Sequence, residues 1–185
     1  MGPDPVLTLD VAIAEDDWLA AMEGPEAVAA AAARAAFHSG IQMGIQDWPL
    51  AGAAEAGVRL TGDVEIQELN RRYRDRDQPT NVLSFPALDK ADWQRLPAGA
   101  PLMVGDVVVA LQTMLLEAAA EAKRPADHLS HLVVHGMLHL LGFDHIEENQ
   151  ALAMEHLETE VLAKLGIADP YASGEAHLYG AANTP

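Results

Sequence analysis

Leu7, Leu9, Val11 and Ile13 alternate with Thr8, Asp10, Ala12 and Ala14, and this period of two predicts a half-buried strand over residues 6–13. Gly24-Pro25 then opens an alanine-rich stretch that reads as a helix from residue 25 to about 38, with proline in its first turn. A short strand is predicted over 57–61. Asp63 is placed to cap a helix over 64–73, where Val64, Ile66, Leu69 and Tyr73 fall on one side. Residues 81–85, NVLSF, read as a third strand closed by Pro86. Residues 86–100 read as a long loop of the kind that is often functional. Residues 103–110, MVGDVVVA, carry the strongest strand pattern in the chain. Three helical patterns follow, over about 111–124, 126–141 and 147–165. The order of strands first and helices later predicts an α+β layer fold. Residues 1–170 are expected to form a single domain, and residues 171–185 a frayed or disordered tail.

Composition narrows the class. The chain has 185 residues, 50% hydrophobic and 21% charged, as expected of one globular domain. No run approaches the roughly 18 apolar residues of a membrane span, and the N-terminus lacks a secretory pattern. With no cysteine there is no disulfide partner and no thiolate ligand, which fits a reducing cytoplasm. Any transition-metal site must use histidine, carboxylate and water. The net charge of −17, from 11 basic and 28 acidic residues, argues against broad, nonspecific affinity for nucleic acid but leaves room for a local basic groove.

Five of the eight histidines, at 128, 131, 135, 139 and 145, fall within 18 residues. On a helix, His128, His131, His135 and His139 line one stripe. Residues 135–145 read HGMLHLLGFDH: histidines at i and i+4, glycine at i+7 and a third histidine at i+10, the spacing of the zinc-protease pattern H-E-x-x-H-x-x-G-x-x-H. Two histidines four apart can share a metal, Gly142 can end the helix in left-handed conformation, and His145 can turn back as third ligand. The predicted metal set is therefore His135, His139 and His145, with one tetrahedral position open for chemistry. The pair His131 and His135 is the competing choice, a turn further from the break at Gly142. His128 and His131 are either second-layer or substrate-facing groups, or ordinary core and surface histidines. His38, His156 and His177 are expected to be ordinary.

The glutamate that serves peptide hydrolysis as general base is missing, because Gly136 stands in its place. Asp144 could shuttle protons or simply support the turn. Phosphodiester cleavage asks for something else, a metal and a cationic clamp on the phosphoryl oxygens. Residues 69–76, LNRRYRDR, hold four of the eleven basic residues. They serve either as that clamp or as a solvated helix end suited to the negative pole of the helix dipole.

Together these blocks are recognisable. HGMLHLLGFDH (135–145), LNRRYRDRDQPTNVLSFP (69–86), GDVVVA (105–110) and LGIADPY (165–171) resemble, in order, the motifs of the YbeY family of bacterial metal-dependent endoribonucleases. The resemblance implies a mixed sheet of about four strands packed with about five helices, with a three-histidine zinc site in a cleft. By position it makes His135, His139 and His145 the Zn2+ ligands, although Ni2+, copper or iron could use the same imidazoles. It makes Arg74 the arginine that holds the scissile phosphate. Asn81 stands where the family often has aspartate. Ser84, with Thr80 and Phe85, is expected to shape the strand and cleft wall, and Asp144, His131 and Ser84 are candidate second-layer or substrate-facing residues. The implied substrate is single-stranded RNA, in maturation of the 3′ end of small-subunit ribosomal RNA and in ribosome quality control. Small-subunit proteins and assembly GTPases are the implied partners. Two other readings stay open: a metal-dependent hydrolase of other substrates, a protease being disfavoured by Gly136, and a noncatalytic ribosome-assembly factor with a structural metal.

Overall fold

In a computed structural model of the protein, residues 6–44, 53–88, 92, 95–97, 100–145 and 147–172 are described. In chain order the elements are β1 (Leu7–Ile13), α1 (Asp17–Ala21), α2 (Pro25–Gly44), β2 (Ala54–Thr61), α3 (Asp63–Arg74), β3 (Val82–Pro86), β4 (Leu102–Ala110), α4 (Leu111–Ala120), α5 (Pro125–Leu140) and α6 (Glu148–Lys164). The strands form one mixed sheet in the order β1-β2-β4-β3. β1 and β4 both run parallel to β2, and α2 supplies the crossover that a parallel β1–β2 pair requires. β3 pairs antiparallel with β4 and forms an edge of the sheet. The fold is α+β.

The two faces of the sheet differ because side chains alternate. Ser84 pairs in register with Val107, and Val82 with Val109; the Val107 and Ser84 side chains lie against Gly136 of α5. On the other face Leu83 and Val108 meet Ile66 and Leu69 of α3. In the neighbouring row, Asp10, Gly57, Asp106 and Phe85 stand side by side across all four strands. Twelve of the sixteen residues of α5 are buried, so this helix has no solvent face and runs through the middle of the molecule.

Four local features depart from the sequence expectations. A short helix, α1, precedes α2, and its fully buried Trp18 donates its indole N–H to the carbonyl of Thr61 at 2.9 Å. α2 runs on through Ser39-Gly40 to Gly44 instead of stopping near residue 38. Gly40 is there for closeness: a β-carbon on it would lie 2.5 Å from Leu141 Cδ1. β2 begins three residues early, at Ala54. Asp63 does not cap α3, whose cap position is Gly62. Its carboxylate instead accepts the backbone N–H of Thr113 at 3.1 Å and the Thr113 hydroxyl at 2.8 Å, satisfying a free donor in the first turn of α4.

Candidate metal centre

α5 is apolar enough to thread the core, and this carries its histidines inward. His135 is 2% exposed. At the other end of the ligand set the helix stops after Leu140 with two backbone bonds, Phe143 N–H to Leu138 O (3.0 Å) and Gly142 N–H to His139 O (2.9 Å). These are the two bonds of a Schellman cap, and Gly142 takes the φ of +81° that the cap demands. The carbonyl of Phe143, in the turn, then accepts the Nδ1–H of His139 at 3.1 Å. Asp144 Oδ1 accepts the backbone N–H of His145 at 2.7 Å. The turn that ends the helix therefore also aims two imidazoles.

One ligand nitrogen from each of His135, His139 and His145 lies within 4.8 Å of the other two. His135 and His139 face each other through Nε2 at 3.0 Å, while each uses Nδ1 elsewhere: His139 on Phe143 O, His135 on Glu158 Oε1 at 2.7 Å. With both protons committed to Nδ1, two lone pairs point at one another. His145 Nε2 is buried with no hydrogen-bond partner. Lone pairs without protons between them and an orphaned buried nitrogen fit a metal cation, since tetrahedral zinc holds imidazole nitrogens about 3.3 Å apart. Burial, together with repulsion from His135 and His145, pushes His139 down to about 3, so it is neutral and ligand-ready at physiological pH.

Glu158 of α6 is the residue that the sequence reading missed. It is 1% exposed. One carboxylate oxygen accepts His135 Nδ1–H; the other accepts His131 Nε2–H at 3.3 Å and the hydroxyl of Tyr171. Burial alone would raise its pKa, but the interactions with His135 and His131, hydrogen-bond donors on both of its oxygens, outweigh that and hold it below the ordinary carboxylate range. Burial drives His131 the other way, down, so it is a neutral donor. The signal was present in the sequence: Glu158 is an acidic residue on the same helical stripe as Met154, Val161 and Leu162, all buried.

The remaining candidates divide. His131, 2% exposed, touches Glu158 and sits behind the triad. His128 turns away to Glu117 at 2.8 Å, and Asn81 holds both oxygens of that same carboxylate. Ser84 is buried and donates its hydroxyl to the carbonyl of Gly136 at 3.1 Å. Arg74, the last residue of α3, donates Nη2–H to the Ser84 carbonyl at 3.2 Å, and its Nε is buried without a partner. Arg71 pairs with Glu68 at 2.6 Å, and Arg72 lies over the ring of Tyr73. Of the three histidines expected to be ordinary, His38 bonds Arg34 O within its own helix, and His177 lies outside the described residues. Of the tail expected to fray from residue 171, Tyr171 is tied to Glu158; residues 173–185 lie outside the described residues.

Gly136 has a packing reason. A β-carbon there would come within 2.6 Å of Val107 Cγ1 and 3.1 Å of Ser84 Oγ. Side chains of the sheet occupy the space that a glutamate at this position would need.

A small α+β protein with a buried helix and three imidazoles whose ligand nitrogens could hold one metal defines a class: small proteins with a three-histidine candidate metal site. The sequence profile described as "Endoribonuclease YbeY" matches residues 22–166. The protein named Endoribonuclease YbeY from Azorhizobium caulinodans is 48% identical over 167 residues, covering 90% of this chain and 97% of its own. Its namesake from Paramagnetospirillum magneticum is 51% identical over 146 residues, covering 79% and 88%. The chain belongs to the endoribonuclease YbeY family. A solution structure from Thermotoga maritima shares the fold, with a TM-score of 0.53 at 18% identity over 93% of this chain and 95% of that one.

Proposed function

We propose that the protein is a zinc-dependent endoribonuclease that cuts single-stranded RNA, with the scissile phosphate held between the histidine triad and Arg74. The observation that carries this reading is a run of contacts: Arg74 bonds the Ser84 carbonyl, and the Ser84 hydroxyl bonds the carbonyl of Gly136, next to His135. A fixed guanidinium and three ligand nitrogens are thus tied through one strand edge. RNA as substrate is supported by the name that the relatives carry.

His135, His139 and His145 are the proposed ligands. When bound, the metal supplies Lewis acidity toward a phosphoryl oxygen and brings the attacking hydroxyl within reach of neutral pH. Arg74 contributes a planar fork matched to phosphate oxygens. Glu158 fixes the tautomer of His135, and Phe143 that of His139. The attacking oxygen is read from the products: a 2′,3′-cyclic phosphate marks the RNA 2′-hydroxyl, a 5′-phosphate marks water. In the cell the proposed task is maturation of the 3′ end of small-subunit ribosomal RNA and ribosome quality control in the cytoplasm, with small-subunit proteins and assembly GTPases as partners. Residues 1–170 would act in it as one domain.

The test compares four samples on single-stranded and duplex RNA: the intact protein, the metal-stripped protein, His139→Ala and Arg74→Ala. Cleavage of single strands by the intact protein, lost in the other three, is expected. Equal cleavage by all four would identify a contaminating nuclease and overturn the proposal.

A further inference from the structure

The face of the sheet away from α5 carries a groove of about 590 Å³. Its wall at the β3 edge is aromatic. Tyr73 and Phe85 meet edge to face, with centroids 5.3 Å apart at 68°. The Arg72 guanidinium lies 5.4 Å from the Tyr73 centroid, and that of Arg74 lies 5.8 Å from the Phe85 centroid. Tyr73 is 51% exposed, so part of its ring is open to a ligand. Asp106 neighbours Phe85 in register, and Asp10 stands beyond Gly57 on the far side. Asp106 leans over Gly57, where a β-carbon would come within 2.2 Å of its Oδ1; the missing side chain opens the groove floor to that carboxylate.

Arg74 joins this groove to the metal centre. Its guanidinium packs on the Phe85 ring and bonds the carbonyl of Ser84. Ser84 and Phe85 are consecutive on the edge strand β3 and point to opposite faces. A single strand whose phosphate rests on Arg74 at that edge would have one face of the sheet, with the triad, on one side and the aromatic groove on the other.

The geometry points to a nucleobase subsite: the half-exposed Tyr73 ring, braced edge to face by Phe85, stacks one base of the RNA strand next to the scissile phosphate, and Asp106 accepts N–H donors from its Watson–Crick edge. This rests on the endoribonuclease reading and deepens it. Unpaired RNA bases are recognised by stacking on aromatic and guanidinium planes and by hydrogen bonds to their edges. A carboxylate on that edge selects for donors. Guanine presents two adjacent ones, the N1–H and the 2-amino group, whereas uracil presents its single N–H between two carbonyl acceptors that an aspartate repels. Adenine and cytosine each present one amino donor beside a ring-nitrogen acceptor, so the base that meets both carboxylate oxygens with donors is guanine. Arg59 and Glu65 in the lining pair with each other. Asp10 and Asp106 repel phosphates from the floor, and Arg72 and Arg74 lie at the aromatic wall, so the groove takes a neutral base and leaves the phosphates at its rim.

The experiment separates binding from cleavage. Short 2′-O-methyl oligonucleotides carry guanine, uracil or an abasic site at each position in turn, and fluorescence anisotropy reads their affinity for the intact protein, Tyr73→Ala and Asp106→Asn. One position should prefer guanine over both alternatives. Tyr73→Ala should weaken the guanine oligonucleotide roughly five- to a hundredfold and leave the abasic one unchanged. Asp106→Asn should erase the preference for guanine over uracil while keeping the preference over the abasic site. Equal affinity for all three oligonucleotides at every position, or equal weakening of the guanine and abasic ones by Tyr73→Ala, overturns the subsite. Cleavage of ordinary RNA by the same preparations is read separately: cleavage without base preference removes the subsite and keeps the nuclease, and base preference without cleavage does the reverse.

Discussion

His135 gives its Nδ1 proton to Glu158 at 2.7 Å, and Glu158 is reached on its other oxygen by His131 and Tyr171. The most buried imidazole of the triad is thus oriented by a carboxylate that is 1% exposed, and that carboxylate is held by a tyrosine beyond the end of α6. Replacing Glu158 with glutamine keeps the shape but turns an amide N–H₂ toward groups that are themselves donors. Zinc affinity should fall roughly ten- to a hundredfold, as read by competition with a chromophoric chelator. Tyr171→Phe should cost less, because His131 still holds the same oxygen. Unchanged zinc affinity in Glu158→Gln would mean that the pairing orients nothing.

Acid should destabilise the metal-free protein well before carboxylates titrate. Folding lowers His139 from 6.5 to about 3, chiefly by burial. Between those values the unfolded chain binds a proton that the folded chain refuses, so stability is complete above pH 6.5 and lost as pH falls toward 3. One such group contributes a slope of up to about 1.4 kcal/mol per pH unit. The lowered Glu158 works in the same direction at the acid end of the range. Urea midpoints in the presence of chelator should decline steadily from pH 7 to pH 5; a flat profile there would contradict a buried neutral His139.

Gly136→Ala sets two effects against each other. Alanine favours an isolated helix by about 1 kcal/mol, but its methyl would press on Val107 and Ser84 between α5 and the sheet. Overpacking of that kind costs roughly 1–3 kcal/mol, and buried Val107 has nowhere to retreat. The variant should therefore melt lower than the parent. Val107→Ala introduced with it should restore part of the loss, a coupling that thermal or urea unfolding of the four proteins would measure.

Arg74→Lys keeps the charge and loses the fork. The lysine ammonium cannot bond the Ser84 carbonyl and offer two further parallel donors at once. Cleavage of single-stranded RNA should drop by tenfold or more in kcat/KM, with zinc content unchanged. Equal rates for arginine and lysine would reduce the residue to a point charge.

Much of this was legible in the chain. The first strand showed by alternation and the 103–110 strand by its β-branched residues, and the i, i+4, i+10 histidines and Gly142 marked a helix, its stop and a return. What escaped was closeness. Ser39-Gly40 resembles a helix end until Leu141 is found against it, and Gly136 reads as a missing base until Val107 fills the space. Asp63 looked like the cap of the helix that it begins, and supports α4 instead. Glu158 showed only as an acid on an apolar stripe; residues 135 and 158 share no local pattern, and only the packing of α6 on α5 joins them. Spacing along one element survives in sequence, whereas contact between elements does not.

Gly136 also limits where this scaffold can go. In sequence alone a protease-like H-E-x-x-H is one codon change away from HGMLH. In three dimensions that step collides with β4 and with the serine that ties β3 to the helix, so the base could arrive only after two strands had yielded room for it. A lineage crossing that gap must pass through intermediates with a loosened core, and this gives stability a say in which chemistry the histidines keep.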